Sequence, residues 1–391
     1  MASGYKFPIL DSTGTATSTV VDFDDMFVRK ELWLDSGLWA CGYNAYGELG
    51  NNNRTYYSTP IQVGSLSNWR QVTGLNVGFA AVKTDGTLWA WGWNAYGQIG
   101  NNNITNYSSP VQVGALADWK QISSSDGSML AVKTDGTLWA WGYNLYGQLA
   151  NNNNVNYSSP IQIGALTNWK SVSTGYVSTG AQFAIKTDGT LWAWGYNFYG
   201  ELGNGNTANY SSPIQIGALT DWKYLSTAAE STAAIKTDGT LWTWGLNNFG
   251  QCGNNTNGTG YSSPIQIGTL TNWKQVCVSN NWVAAVKTDG TLWAWGQNNN
   301  SQFNDSTQAY SSPIQVGSLA TWKFVHAYFN SVYVIKTDGT LWACGYNNYG
   351  QLGIGTTASS NILTQVGTSN SWKQIAGSAF AVAGIQSPDL P

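Results

Sequence analysis

The chain has 391 residues, of which only 9% are charged, and a formal net charge of -3 with a sequence pI near 5.1, so no broad basic field exists to hold nucleic acid or an anionic membrane. Its four cysteines (Cys41, Cys252, Cys277, Cys344) lack metal-ligand spacing and His326 is the lone histidine, which argues against a zinc site, a disulfide framework or any bound cofactor. No run approaches the roughly 18 apolar residues of a membrane span, and the first residues lack the apolar core of a secretory signal, so the expectation is synthesis in the cytoplasm without membrane insertion.

In chain order, residues 1–30 read as an unrepeated N-terminal arm. Asp22, Asp24, Asp25, Arg29 and Lys30 form its densest charge cluster and are a candidate anchor. From 31 to 385 the chain repeats itself. A Leu-Trp pair recurs at Trp39, Trp89, Trp139, Trp192, Trp242, Trp293 and Trp342, at intervals of 50, 50, 53, 50, 51 and 49 residues. Such a period marks supersecondary units that each leave an apolar face for a neighbour to bury. Residues 386–391 are left as a short tail.

One unit can be read from Trp119. Trp-Lys-Gln-Ile-Ser and Met129 to Lys133 read as strands, and Thr134-Asp135-Gly136-Thr137 supplies a tight turn in which glycine accepts positive φ. Leu138 to Trp141 returns as a third strand. A long polar loop leads to Pro160-Ile161-Gln162-Ile163, a fourth strand that opens on proline as edge strands can. Four short antiparallel strands per unit predict an all-β, seven-bladed propeller. The last half-unit, Trp372 to Ile385, and the first, Leu38 onward, are complementary, so the closing blade is expected to mix both termini. Glu31 to Leu34 and Phe380 to Ile385 compete for one strand of it.

Near that seam Cys41 and Cys344 replace the second tryptophan found at Trp91, Trp141, Trp194, Trp244 and Trp295. The smaller side chains are expected to leave room for another segment, such as residues 1–30. A Cys41–Cys344 disulfide is not expected, because like positions on adjacent blades exceed the Cα separation that a disulfide allows.

Leu138 to Leu149 reads Leu-Trp-Ala-Trp-Gly-x-Asn-x-x-Gly-Gln-Leu, followed by Ala150, and resembles the repeat of the regulator of chromosome condensation family. The resemblance spans roughly 31–385 and implies a seven-bladed ring. The founding member of that family exchanges guanine nucleotide on the small GTPase Ran and binds chromatin. This chain lacks a basic tail, a wedge-like insertion and the family's frequent histidine before the second strand, where Phe79, Leu130 and Phe183 stand. Its near-identical units resemble the compositionally simple versions in bacteria and bacteriophage particles.

The Gly345 to Gly350 segments have phosphate-loop spacing but no following lysine, so the phosphate charge would lack its partner. The repeated aspartates Asp85, Asp135, Asp188, Asp238, Asp289 and Asp338 are all accounted for by turns. No Ser, His and Asp set can be assembled around one histidine, so no enzyme is expected. Packing accounts for most of the 22 tryptophans, with Trp33, Trp93 and Trp282 outside the repeat positions.

Specificity should then reside in what is not repeated. Loops after the first strand of each unit share a face with the long Asn-rich loops and vary most. Tyr176, Glu230, Trp282, Tyr328 and Phe329 are the candidate partner-binding residues there. The leading expectation is a structural or adhesion component of a bacteriophage particle, virion-associated, joined to other structural proteins through residues 1–30 and able to meet a host-surface protein or glycan. The alternatives are a regulatory binder of a GTPase or other protein, and a carbohydrate-binding lectin.

Overall fold

The computed structural model describes the backbone at 9–10 and 16–17 and the residues 36–175, 180–228, 230–299, 302–303 and 307–387. Seven four-stranded antiparallel sheets make the ring. Blade 1 comprises strand A (Trp69–Leu75), B (Gly78–Lys83), C (Leu88–Gly92) and D (Tyr107–Gln112). Blades 2 to 6 repeat this order from Trp119, Trp169, Trp222, Trp273 and Trp322. Blade 7 joins Trp372–Ser378 and Ala381–Gln386 to Gly37–Gly42 and Tyr57–Gln62, with Leu38 opposite Ile385 and Ala40 opposite Ala383. The C-terminal segment therefore supplies the disputed B strand. Glu31 to Leu34 lies outside the described residues, as do all five anchor candidates, Asp22, Asp24, Asp25, Arg29 and Lys30.

The B–C turn shows why Thr-Asp-Gly-Thr precedes six of the seven repeat Leu-Trp pairs. In blade 2, Asp135 Oδ1 accepts the Thr137 N–H at 2.9 Å and its hydroxyl at 2.7 Å, while Thr137 Oγ1 accepts the Trp139 indole N–H at 2.9 Å. Gly136 has φ +80°, and a Cβ there would strike the Thr167 carbonyl of the next D–A connection. The same turn places Lys133 Nζ 4.9 Å from the Trp119 ring centroid, 4.1 Å from that of Trp139 and 3.4 Å from Asp118. Lys186, Lys236, Lys287 and Lys336 are clamped between two indoles in the same way. These lysines are repeat structure and form no basic patch.

Adjacent blades are joined by the second tryptophan of strand C. Its indole N–H crosses the interface to a backbone carbonyl of the preceding blade: Trp91 to Glu48 (2.8 Å), Trp141 to Gln98 (2.9 Å), Trp194 to Gln148 (2.8 Å), Trp244 to Glu201 (2.6 Å) and Trp295 to Gln251 (2.9 Å). All five rings are fully buried. Around the channel, glutamine amides join neighbouring A strands as a backbone ladder would. Gln71 Nε2 donates to the Ile122 carbonyl and its Oε1 accepts the Ile122 N–H, at 2.8 and 3.0 Å, and Gln121 and Gln275 repeat the pair on Val172 and Val325.

The seam departs from the expectation. Cys344 Sγ meets the Gln302 carbonyl at 3.1 Å and Cys41 Sγ the Gln351 carbonyl at 3.7 Å, the same acceptors that indoles would use. The lost indole volume is filled from within the ring. Tyr333 donates its hydroxyl to the Gln351 carbonyl at 2.9 Å and shares a core with Cys41, while Trp282 packs on Phe303, centroids 5.8 Å apart, in the core that holds Cys344. Residues 1–30, expected to occupy that space, lie outside the described residues apart from the backbone at 9–10 and 16–17. All four cysteines are free and buried.

Trp141→Ala should therefore cost about 3–5 kcal/mol, from a cavity plus a stranded carbonyl, whereas Cys344→Ala should cost no more than about 2 kcal/mol. Urea midpoints of the two variants should differ clearly. Equal midpoints would contradict the bridging role.

Candidate binding face

In blades 1, 2, 4, 5, 6 and 7 the A–B loop emerges beside the C–D loop, because a backbone bond ties them. Trp93 N–H donates to the Val77 carbonyl (2.7 Å), Tyr143 to Gly127 (2.8 Å), Leu246 to Glu230 (2.7 Å), Tyr346 to Asn330 (2.9 Å) and Tyr43 to Phe380 (2.9 Å). A buried asparagine shapes the C–D loop: Asn144 Oδ1 accepts the Leu149 N–H at 2.8 Å, and its Nδ2 donates to the Asn153 and Val155 carbonyls at 2.9 and 3.0 Å. Asn-rich loops are thus held by side-chain amides that substitute for a strand partner.

Aromatic rings run along this face from blade to blade. Tyr96 meets Tyr143 (4.7 Å), Tyr146 meets Tyr196 (5.2 Å) and Tyr349 meets Tyr43 (5.2 Å). The series changes where Leu246 and Gln297 take the place of the tyrosine. At the turn two residues after the aromatic position stands a buried Gln or Glu whose Oε accepts the aromatic residue's own N–H, as at Gln98 (3.0 Å), Gln148 (2.8 Å) and Glu201 (2.8 Å).

The five candidates separate in the structure. Tyr176 lies outside the described residues, as does most of the Gly175 to Gly180 insertion. Trp282 is a correction: it is 1% exposed, and its indole N–H donates to the Phe329 carbonyl at 2.7 Å, so it packs the core and cannot meet a partner. Phe329, at φ +50°, turns the blade 6 A–B loop and sets its ring 5.6 Å from Phe380. Tyr328 is half-buried, stacked 6.2 Å from His326. Glu230 is half-buried on the blade 4 loop, and burial raises its carboxyl pKa.

Residues that sequence reasoning passed over sit beside these. Glu48 and Glu201 occupy the buried Gln position, and their departure from Gln in two of seven copies was the available signal. Burial, with Glu230 adding repulsion, pushes the Glu201 carboxyl up to about 7, and burial also raises Glu48. His326 lines the central channel, a cavity of about 230 Å³, where its Nε2 accepts the Gly377 N–H at 2.8 Å and burial holds it down at about 4. Burial pushes Cys41, Cys252 and Cys344 up to about 12, so none of the three presents a thiolate nucleophile near neutrality. Among the described residues no three His, Cys, Asp or Glu side chains gather where they could hold a metal, and no helix is long and apolar enough to cross a membrane.

Sequence models of the regulator of chromosome condensation (RCC1) repeat match residues 35–74, 85–132, 135–182, 188–235, 238–286 and 338–383, and a second model of that description matches 119–148. The chain belongs to this family. The unmatched stretch between 286 and 338 contains the unit whose polar loop, Gly296 to Ser301, loses the aromatic and glycine pattern. Among solved structures the ring is similar to human WBSCR16, at TM-score 0.81 and 16% identity over 91% of this chain and 100% of that one. It is also similar to Prp20p from Saccharomyces cerevisiae (TM-score 0.82, 16% identity, 95% and 97% covered), described with its binding properties to Gsp1p and histones. Yeast RCC1 (Prp20) bound by Kap60 gives TM-score 0.81 at 16% identity, with 98% and 97% covered.

These relatives correct the bacteriophage expectation. The three solved rings above are a human protein and yeast Prp20, and Prp20 is described with Kap60, Gsp1p and histones. The resemblance to bacterial and phage versions, the virion location, the structural and adhesion role, and the partners read as assembly proteins and host-surface glycans are set aside with it.

Glu201 generates a pH test. A buried acid raised from 4.5 to about 7 binds a proton on folding between those values, so its burden is absent near pH 4.5 and full above pH 7, and stability falls as pH rises through that window. Glu201→Gln should therefore stabilise by up to about 3 kcal/mol at pH 8 and by much less at pH 5. Urea unfolding at both values checks this, and an equal effect at both would contradict it.

Proposed function

We propose that this protein is a non-enzymatic binding propeller whose partner is a small GTPase of the Ran and Gsp1 kind, engaged through the face built by the A–B and C–D loops. The observation that carries this reading is the correspondence of whole rings: 95% of this chain superposes on 97% of Prp20p, whose binding to Gsp1p is part of its description. The chemistry of this face agrees with binding. The repeated aspartates are held in turns, the cysteines are buried and His326 is engaged, which leaves an aromatic rim with the half-buried carboxylate of Glu230. Rims of tyrosine and phenylalanine supply large contact area at low conformational cost, as protein interfaces require.

The test is direct binding of the full chain to purified Gsp1p in nucleotide-free, GDP and GTP forms by biolayer interferometry. Saturable binding, strongest to the nucleotide-free form and weakened about tenfold or more by Glu230→Lys or Phe329→Asp at unchanged melting temperature, is expected. Absence of binding in all three nucleotide states would overturn the proposal.

A further inference from the structure

Where blades 6, 7 and 1 meet, the aromatic face holds a cavity of about 300 Å³ whose lining includes Tyr43, Tyr46, Glu48, Asn76, Tyr349 and Phe380. Its rings are mutually inclined. Tyr43 and Tyr349 have centroids 5.2 Å apart at 80°, Tyr349 and Phe380 are 4.9 Å apart at 48°, and Tyr43 and Phe380 are 6.1 Å apart at 68°. Most of the neighbouring polar groups are spoken for: the Asn76 carbonyl accepts the Ala379 N–H (2.7 Å) and the Ser378 hydroxyl (3.0 Å), and the Phe380 carbonyl accepts the Tyr43 N–H (2.9 Å).

Glu48 is the exception. It is 1% exposed, its Oε2 accepts the Tyr46 N–H at 2.9 Å, and its Oε1 has no hydrogen-bond partner. Arg54, the basic group that acts on it, is itself exposed. The fold does not call for this charge, because Gln98, Gln148, Gln251 and Gln351 make the same backbone bond at 2.8–3.0 Å with a neutral amide. At Gln98 and Gln251 the atom left without a partner is likewise a neutral amide nitrogen. A buried carboxylate without a counterion is costly, and a cation seated beside it would relieve that cost. Aromatic faces attract cations, most effectively those whose charge is spread over methyl groups and weakly hydrated. A hard metal ion would need more oxygen ligands than the single carboxylate here provides.

We propose that this cavity binds an alkylated ammonium head group, with Tyr43, Tyr349 and Phe380 against its methyl groups and Glu48 balancing its charge. Such a head group is carried by free choline and by a trimethylated lysine side chain on a protein. The cavity lies on the same face as the proposed GTPase interface, with Phe380 packed 5.6 Å from Phe329, but binding of a small cation is measured without the GTPase.

Isothermal titration of the full chain with choline, with a short capped peptide carrying trimethyl-lysine, and with the neutral isostere 3,3-dimethylbutan-1-ol tests this. At least one ammonium probe should bind, with the isostere about tenfold or more weaker, and Glu48→Gln should reduce that binding about tenfold while leaving the melting temperature equal or higher. Tyr349→Ala should reduce it as well. Equal affinity for both ammonium probes assigns recognition to the head group alone, and preference for the peptide assigns a protein source; either supports the site. It is overturned if neither ammonium probe binds, if the isostere binds equally well, or if Glu48→Gln retains full affinity.

Discussion

The ring depends on an indole N–H donated across five of its seven blade boundaries to a backbone carbonyl in the turn of the blade before. That bond does two things at once. It satisfies a carbonyl that the blade interface would otherwise bury without a partner, and it inserts the largest apolar side chain into the gap between two twisted sheets, where burial contributes most. The rest of the repeat serves to hold the indole and its acceptor in place. The buried Asn folds the C–D loop so that the Gln or Glu carbonyl faces the next blade. Where the indole is missing, the same carbonyl still receives a donor, from Cys344 on one side of the seam and from Cys41 with Tyr333 on the other.

The fold was legible because these requirements recur seven times at fixed spacing. Asp-Gly turns and complementary terminal half-units lead to the same ring that the structure shows, down to the blade that mixes both ends of the chain, although strand D begins at Tyr157, three residues before the proline expected to open it. What escaped the sequence was compensation across blades. Cys41 and Tyr333 are 292 positions apart, so nothing local says that one fills the space left by the other. Trp282 stood out as an unrepeated aromatic and was read as a surface residue for that reason. It is unrepeated because it answers the loss of an indole at Cys344, and its own N–H is engaged by Phe329. A departure from a repeat can mark repair of the scaffold as readily as contact with a partner.

The binding face shows the same ambiguity from the other side. Glu48 and Glu201 look like neutral variation on Gln, since either residue can accept the backbone N–H of the turn. Only the burial of the second oxygen distinguishes them, and burial is a property of the assembled ring. A scaffold this repetitive absorbs its lysines into indole clamps, its aspartates into turns and its thiols into the core. The chemistry left for recognition is aromatic surface with a few carboxylates, concentrated on one face and most asymmetric at the seam. The repeat models place the chain in the RCC1 family, and the human and yeast rings share its fold.

The central claim is that five buried indoles lock adjacent blades, and hydrogen exchange of the tryptophan indole N–H groups, resolved by NMR, tests it most directly. Trp91, Trp141, Trp194, Trp244 and Trp295 should exchange only through opening of the ring, with similar and high protection, while Trp89, Trp139, Trp192, Trp242 and Trp293, bonded to turn hydroxyls at half-exposed positions, should exchange faster. Rapid exchange of the first set, or no difference between the two, would contradict the account.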